Sequence, residues 1–364
     1  RDGDTVARFG GDEFTILLDE ITDVSDATRV AERIQEALQS PFILDGHEVF
    51  TSASVGIALS ATGYEIPNDV VRDADTAMNR AKALGKARHE MFDRAMHTQS
   101  SRRLQLETDL RRAVEREEFE VFYQAIVDLA DEMIIGFEAL VRWTHPERGR
   151  VFPDEFVGIA EETGLILPID RYVMREACRQ TKEWQEKFGP LSISVNLSAK
   201  QFALRDIVYV IDSVLQDTGL APTDLKLEIT ESALMDNQDS AAEIFHEIKK
   251  RNVQLGLDDF GTGYSSLSYL HRFPLDTLKI DRSFVSRMNE SPGEHEAIVR
   301  TIVNLAQNLK FKTVAEGIET IDQLHSLQAL DCLYGQGYYF SKPMPAAEAE
   351  QLLKENRQKA SRTA

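Results

Sequence analysis

Cysteine is scarce in this chain of 364 residues, and long hydrophobic runs are missing. Cys178 and Cys332 lie in separate periodic segments without metal-ligand spacing, so we expect two buried, reduced thiols, as in a cytosolic protein. No apolar run approaches the ~18–20 residues that cross a bilayer, and no signal peptide is recognisable. These absences predict a cytoplasmic location for this part of the protein. Because the first residue is Arg1 and not Met, we expect a longer protein, whose upstream region could be membrane-anchored.

Positive charge is also in short supply. Lysine and arginine number 41 against 61 aspartate and glutamate residues, and the formal net charge is −20. A sequence-independent grip on a nucleic-acid polymer needs a basic surface, so this class of partner is excluded. A small phosphorylated ligand is still allowed, since bound cations can reverse the local sign of charge.

The length predicts two domains, because one compact core rarely extends over 364 residues. Residues 1–93 alternate strand and helix patterns. They include a hairpin around Gly10-Gly11, helices at 25–38 and 68–84, and one strand over 47–60. Residues 94–118 are rich in Arg and Glu and carry a narrow apolar stripe, which predicts a solvated connecting helix between the domains.

Residues 119–354 repeat another pattern, in which helices separate most strands. The eight candidate strands are 120–129, 134–143, 191–198, 225–232, 253–261, 277–284, 312–319 and 332–340. This pattern favours an α/β fold, a closed TIM-like (β/α)8 barrel. Only the short link 130–133 joins the first two strands, so we expect a hairpin with an antiparallel first strand. Residues 355–364 form a polar tail that we expect to fray.

Several barrel strands carry apolar residues on one face and polar residues on the other. In LKLEITE, for example, Leu225, Leu227 and Ile229 alternate with Lys226 and Glu228. Successive side chains of a strand point to opposite faces. In a barrel the apolar faces meet the outer helices, so the polar faces look inward. Their charged members lie toward the C-terminal strand ends, where barrel active sites are built.

Asn196, Glu228 and Asp258 lie at such strand ends, and neighbouring strands are ~4.8 Å apart, so these side chains could approach one point. Carboxylates gathered there repel one another by roughly 4 kcal/mol per pair at 4 Å and an effective dielectric near 20. Protonation or cations must relieve that repulsion. An oxygen-rich set without Cys or His suits Mg²⁺ or Mn²⁺.

Six motifs occur in order along the barrel segment: EALVRW, NLS, LEITES, DDFGTGYSS, LKIDRSF and AEGIE. Together they resemble an EAL-domain cyclic di-GMP phosphodiesterase over nearly all of 119–345. The resemblance implies a site with two Mg²⁺ or Mn²⁺ ions that hydrolyses cyclic di-GMP to linear pGpG. One departure is Ala125, where the family usually has Pro after the Tyr-Gln pair of the first strand.

The resemblance implies a role for each matching position. The implied metal ligands are Glu138, Asn196, Glu228, Asp258, Asp259 and Glu316, with Asp258 bridging the ions. The implied catalytic positions are Glu316, Lys279, Glu231 and Asp259, with Glu231 anchoring the loop DFGTGYSS. The implied substrate-binding positions are Gln124, Arg142, Glu319 and Gln336. For Glu319 and Gln336, hydrogen bonding at strand ends is the alternative interpretation.

The N-terminal part resembles the C-terminal half of a GGDEF domain, a family that makes cyclic di-GMP from GTP. The resemblance rests on Gly10-Gly11-Asp12-Glu13-Phe14 and on ADTAMNRAKALGKAR. It implies metal and phosphate contacts at Asp12, Glu13, Lys82 and Lys86, and an inhibitory product site at Arg1 and Asp4. Asn79 replaces the usual tyrosine, and the family's first half is absent, so we expect a remnant or truncated regulatory module.

Two functions are compatible with these motifs. The first is an active, metal-dependent phosphodiesterase, and the alternative is a catalytically silent cyclic di-GMP receptor or scaffold. Loss of a metal-ligand position or of the lysine would favour the silent form, and here every such position is filled. GTP binding by the N-terminal part and a homodimer remain open.

Overall fold

The computed structural model describes residues 3–19, 21, 23–44, 46–60, 64, 66–202, 204, 206–235, 238–261, 273–288 and 294–363. The chain divides into two compact units, Arg1–Leu106 and Glu107–Ala364. Helix α3 (Arg94–Glu115) contains the boundary between them. None of the described helices combines the length and hydropathy that a bilayer-spanning segment needs.

The N-terminal unit contains three small two-stranded sheets among its described residues. Their strands are β1 (Thr5–Gly10), β2 (Glu13–Leu17), β3 (Phe42–Leu44), β4 (His47–Val49), β5 (Val55–Ile57) and β6 (His89–Met91), and the helices before α3 are α1 (Val24–Gln39) and α2 (Pro67–Ala83). The predicted β1–β2 hairpin is confirmed. Asp23 begins α1 as its N-cap, accepting a hydrogen bond from the Ser25 backbone.

The single strand predicted over 47–60 is wrong. The structure divides this segment, because β4 pairs with β3 in one sheet and β5 pairs with β6 in another. Period-two alternation continues through the whole segment and therefore carries no sign of a change of partner.

The C-terminal unit is the predicted barrel. Its eight strands are β7 (Phe119–Asp128), β8 (Ile134–His145), β10 (Ser192–Asn196), β11 (Leu225–Thr230), β12 (Gln254–Phe260), β13 (Thr277–Ile280), β14 (Lys312–Ala315) and β15 (Tyr334–Gly335). They follow one another in this order, and β7 closes the barrel between β15 and β8. β7 is antiparallel to both neighbours, and the other strands are parallel. The expected antiparallel first strand is thus confirmed.

Helices surround the barrel, and two short strands flank it. The helices are α4 (Pro153–Thr163), α5 (Ile166–Phe188), α6 (Ala199–Phe202), α7 (Ile207–Thr218), α8 (Glu231–Met235), α9 (Gln238–Lys249), α10 (Arg282–Ser286), α11 (Glu294–Asn308), α12 (Ile321–Ala329) and α13 (Ala346–Thr363), with a 3-10 turn at Pro222–Asp224. The flanking strands are β9 (Gly149–Val151), which pairs with β8, and β16 (Met344–Pro345), which pairs with β7.

The apolar strand faces pack against the outer helices, as the alternation predicts. Trp184 of α5 lies with its ring centroid 4.8 Å from that of Tyr123 and 5.0 Å from that of Phe137. Leu225 and Leu227 of β11 are fully buried. Burial of this ring of aromatic and aliphatic side chains fixes the strands and leaves their polar faces directed inward.

Several element boundaries differ from the sequence-based prediction; β14, for example, ends at Ala315 and not at 319. β13 ends at Ile280, because the Asp281 side chain accepts a hydrogen bond from the Ser283 backbone N–H, at 3.0 Å, and so begins α10. β15 is only Tyr334–Gly335, much shorter than the predicted 332–340. The tail 355–364 was expected to fray, but α13 continues to Thr363, in keeping with the good helix formers in that segment.

Candidate active site

The acidic side chains come together because adjacent barrel strands carry them. Glu138 lies on β8, Asn196 ends β10, Glu228 lies on β11 and Asp258 on β12. Asn196 is the direct partner of Glu228 in the ladder. Glu138 and Glu228 are buried, and so is Asp258. These inward carboxylates lie toward the C-terminal ends of the parallel strands.

A bulge brings a further carboxylate to the same place. The β12–β13 register shifts between Leu257 and Phe260, and Asp259 has φ +54°. Regular alternation would direct Asp259 to the face opposite Asp258. Instead, carboxylate oxygens of Asp258, Asp259 and Glu316 all lie within 4.8 Å of one another. The bulge therefore allows two consecutive residues to serve one site.

Lys279 of β13 lies at the centre of the cluster with its side chain 1% exposed. Its ammonium Nζ is 2.7 Å from Glu316 Oε1, 2.8 Å from Glu228 Oε2, 3.1 Å from Asp258 Oδ2 and 3.3 Å from Glu138 Oε2. Burial favours the neutral amine, but these four carboxylates outweigh it and hold the pKa of Lys279 well above its ordinary value. Lys279 therefore remains a cation and a hydrogen-bond donor.

Two amide side chains orient Glu138. Asn196 Nδ2 donates to Glu138 Oε1 at 2.7 Å, and Gln336 Nε2 donates to Glu138 Oε2 at 2.6 Å. Gln336 also donates to Glu316 Oε1 at 2.9 Å. Burial would raise the pKa of Glu138, but Lys279 and these donors lower it below its usual value. Glu138 is therefore held as a carboxylate.

The pKa values of the neighbouring carboxylates are shifted upward, opposite to the shift of Glu138. Burial is the main cause that raises the pKa of Glu228, with help from Glu138 and Asp258. Burial likewise raises the pKa of Glu316 to about 8, although Lys279 opposes the shift. Burial and Asp258 raise the pKa of Asp259. The single positive charge of Lys279 does not neutralise these carboxylates. The site therefore favours the binding of additional positive charge.

The donor set fits divalent metal ions. Glu138, Glu228 and Asp258 offer oxygens within 4.8 Å of one another, and Asp258 also belongs to the trio with Asp259 and Glu316. Glu228 Oε1 is buried and accepts no hydrogen bond from any described residue. A buried carboxylate oxygen without a donor is costly unless a cation meets it. Oxygen ligands without sulfur or imidazole are those that Mg²⁺ and Mn²⁺ prefer.

Glu231, the first residue of α8, connects this helix to the end of β12. Its Oε2 accepts a hydrogen bond from the Gly261 backbone N–H at 3.0 Å. Gly261 has φ +96°, a conformation that glycine adopts without strain. The remainder of the predicted loop, residues 262–266, lies outside the described residues.

The four predicted substrate-binding residues occupy different positions. Gln336 touches the cluster directly. Gln124 is the cross-strand partner of Glu138 and donates to the Ser341 carbonyl at 3.1 Å. Arg142 is buried near the mouth, and one of its N–H groups donates to the Val141 carbonyl. Glu319 is exposed, and no hydrogen bond joins its side chain to the cluster in the described structure.

Three further side chains near the cluster were not assigned a role from the sequence. Ser341 Oγ accepts a hydrogen bond from the Ala125 backbone at 3.1 Å, so it supports the strand where proline is replaced. Lys226 is buried on the inward face beside Glu228, where alternation put it. Asp170 of α5 accepts hydrogen bonds from Ser198, just beyond Asn196. The contacts of Ser341 and Asp170 span distant parts of the chain and leave no local sequence signal.

The candidate residues of the N-terminal unit are not gathered. Asp12 and Glu13 are exposed at the β1–β2 turn, and Lys82 and Lys86 are exposed at the end of α2 and just beyond it. Within the described structure no hydrogen bond or ion pair joins the two acids to the two lysines. The Asp4 side chain accepts from the Asp19 backbone at 3.3 Å, and Arg1 lies outside the described residues.

Comparisons with known proteins agree with this geometry. The EAL domain model matches residues 107–343, and the model for the diguanylate cyclase GGDEF domain matches residues 1–88. Cyclic di-GMP phosphodiesterase NbdA of Pseudomonas aeruginosa is 39% identical over 355 residues, which are 97% of this chain and 45% of NbdA. The bifunctional diguanylate cyclase/cyclic di-GMP phosphodiesterase MucR of the same organism is 41% identical over 351 residues, 96% of this chain and 50% of MucR.

A solved structure of the PaMucR phosphodiesterase in complex with c-di-GMP is 42% identical, with a TM-score of 0.65, covering 67% of this chain and 99% of that one. This chain spans about half the length of the curated relatives it matches. The barrel, its closing antiparallel strand and its acidic cluster thus coincide with the matched region. The chain belongs to the EAL domain family and carries GGDEF-domain sequence ahead of the barrel.

Proposed function

We propose that the barrel hydrolyses one phosphodiester bond of cyclic di-GMP, releasing linear pGpG, with two divalent metal ions. The observation that carries the proposal is the set of buried carboxylates around Lys279, whose charge one lysine cannot balance. The printed descriptions of NbdA and of the c-di-GMP-bound PaMucR structure support the choice of substrate.

The two overlapping groups of oxygens would hold one ion each. Glu138, Asn196, Glu228 and Asp258 would bind the first ion, and Asp258, Asp259 and Glu316 the second, with Asp258 shared. Asn196 already donates through its amide nitrogen to Glu138, which leaves its carbonyl oxygen for a cation. When bound, paired Mg²⁺ or Mn²⁺ ions lower the pKa of a water molecule and stabilise charge on a reacting phosphate.

The remaining groups bind and orient the reactants. Lys279 stays protonated, so it serves as a donor to the attacking water or to a phosphate oxygen and does not act as a base. Gln336 keeps Glu138 and Glu316 in fixed orientations. Arg142 offers its guanidinium to the substrate phosphate, and Gln124 and Glu319 line the approach to the site. Glu231 acts through Gly261, holding the segment that follows Asp259.

The test is incubation of the chain with cyclic di-GMP and Mg²⁺ or Mn²⁺, followed by chromatographic separation of the products. We expect pGpG to form, and a chelator to stop its formation. Ca²⁺ should inhibit, because its longer bonds and looser geometry suit a compact paired site poorly. Undiminished product in excess chelator would contradict the metal mechanism, and binding of cyclic di-GMP without any turnover would favour a silent receptor.

A further inference from the structure

The β8–β9 hairpin places a second arginine beside Arg142 at the mouth of the barrel. Thr144 and Arg150 are directly paired across this antiparallel hairpin. Directly paired residues share a face, and so do residues two apart in a strand, so Arg150 lies on the same face as Arg142. The alternation pattern did not reveal this position, because β9 is only three residues long.

One aromatic ring receives both guanidinium groups. The carbon Cζ of Arg150 lies 4.6 Å from the centroid of Phe122, and that of Arg142 lies 5.5 Å from the same centroid. Phe122 is buried on β7 and pairs with Leu140 of β8, between the levels of Glu138 and Arg142. Cation–π contact of this kind holds an arginine in place while its N–H groups remain directed to solvent or ligand.

The two arginines are poorly matched by acidic groups. In the part of the chain that the structure describes, neither forms an ion pair with a carboxylate, and Arg150 is exposed. Burial lowers the pKa of Arg142, repulsion from Arg150 is the next cause, and attraction to Glu138 and Asp154 opposes the shift without reversing it. Two positive charges held near one ring favour the binding of an anion, which can accept hydrogen bonds from both guanidinium groups.

We propose that Arg150 is a substrate-binding residue, which together with Arg142 grips a phosphate of the cyclic dinucleotide at the barrel mouth. This inference rests on the proposed phosphodiesterase function. Arg150 touches none of the metal-binding carboxylates, so it contributes affinity and not chemistry. Because the contact is charge-based and exposed, its contribution falls as salt concentration rises.

The experiment compares Arg150→Gln, Arg150→Lys and a matched control, Arg175→Gln, which removes an exposed arginine on the outer helix α5. Steady-state turnover of cyclic di-GMP with Mn²⁺ gives kcat and KM, and calorimetry gives substrate affinity directly. For Arg150→Gln we expect KM to rise roughly three- to tenfold with kcat within about twofold, and the difference to shrink at high salt. Arg150→Lys should recover only part of the affinity, because it keeps the charge but loses the planar guanidinium that stacks on Phe122.

The outcomes separate the two proposals. If the wild type turns over but Arg150→Gln matches Arg175→Gln in KM and affinity, the role of Arg150 is wrong and the proposed function stands. If Arg150→Gln weakens binding by the same factor at every salt concentration and Arg150→Lys recovers none of it, the contact is not charge-based and phosphate binding by Arg150 is wrong. If the wild type neither binds nor hydrolyses cyclic di-GMP, the proposed function fails and this inference fails with it.

Discussion

Glu231 accepts a hydrogen bond from the backbone N–H of Gly261 at 3.0 Å, which ties the start of α8 to the end of β12. Gly261 lies two residues after Asp259, the carboxylate that the β-bulge turns into the site. In the proposed metal site Glu231 would therefore act through the backbone, as a positioning residue.

Replacing Glu231 tests this indirect role. Glu231→Ala removes the acceptor and should lower turnover at least tenfold while raising the metal concentration needed for half-maximal rate. Glu231→Gln keeps one oxygen acceptor and should retain more activity at high metal concentration. The measurement is kcat as a function of Mn²⁺ concentration. Equal losses in both variants, with unchanged metal dependence, would argue against positioning through Gly261.

Removing a ligand should separate chemistry from folding. We expect Glu138→Ala and Asp259→Asn each to abolish turnover with the circular dichroism spectrum preserved, because neither change alters the strand pattern. Without metal, Asp259→Asn should be slightly more stable than the wild type, since burial and Asp258 penalise the charge at this position. Near wild-type rates in either variant would mean that the site has been misplaced.

Lys279 is the counter-charge for the buried carboxylates of Glu138, Glu228 and Asp258 and for the partly buried Glu316, and its removal should be costly without metal. Lys279→Met leaves these charges uncompensated, so the free energy of unfolding in chelator should fall by about 3–5 kcal/mol. Added Mg²⁺ should restore part of this loss while turnover stays absent. The matched control is Lys250→Met on the surface, where the side chain is 69% exposed. Denaturant unfolding with and without metal provides the test, and equal stability of both variants in chelator would contradict it.

Asp170 predicts a pH dependence of stability. Burial raises its pKa to about 7, although Ser198 opposes the shift, so the folded protein retains a proton that the unfolded chain releases near its ordinary value of 3.8. This group's contribution to stability is therefore present below about pH 4 and is lost as pH rises toward 7. At about 1.4 kcal/mol per pKa unit, the loss amounts to a few kcal/mol at most.

Asp170→Asn keeps an acceptor for Ser198 without a titrating group. Relative to wild type, this variant should gain stability as pH rises from about 4 to 7.5, and the gain is measured by urea unfolding at several pH values. A difference between the two proteins that does not vary with pH would rule out titration of Asp170 as the cause.

The N-terminal unit should not make cyclic di-GMP from GTP. Its exposed Asp12, Glu13, Lys82 and Lys86 are not joined by any hydrogen bond or ion pair in the described structure, and catalysis depends steeply on placement. The assay uses GTP and Mg²⁺ at high concentration of a Glu138→Ala variant, which cannot degrade the product. Steady accumulation of cyclic di-GMP would overturn this expectation.

The sequence predicted the barrel well because period-two alternation and strand spacing are local signals. Alternation alone put Glu228 and Asp258 on the inward face, where the structure has them. It could not put Asp259 beside Asp258, since that placement depends on a bulge with positive φ. Arg150 was missed for a similar reason, because its position depends on a short hairpin partner and not on a periodic run. Contacts such as Gln124 with Ser341 depend on closure of the barrel.

The antiparallel direction of β7 determines the end of the barrel at which the chain enters its first strand. In an all-parallel barrel the chain would enter the first strand at the end opposite the active site. Here Phe119 begins β7 opposite Trp143, close to the C-terminal end of β8, so the chain enters at the catalytic rim. Asp109 of α3 lies 3.4 Å from His145 at that rim, three residues after Arg142. The C-terminal part of α3, the start of β7 and Arg142 therefore lie at the same rim of the barrel, on the side to which the inward carboxylates point.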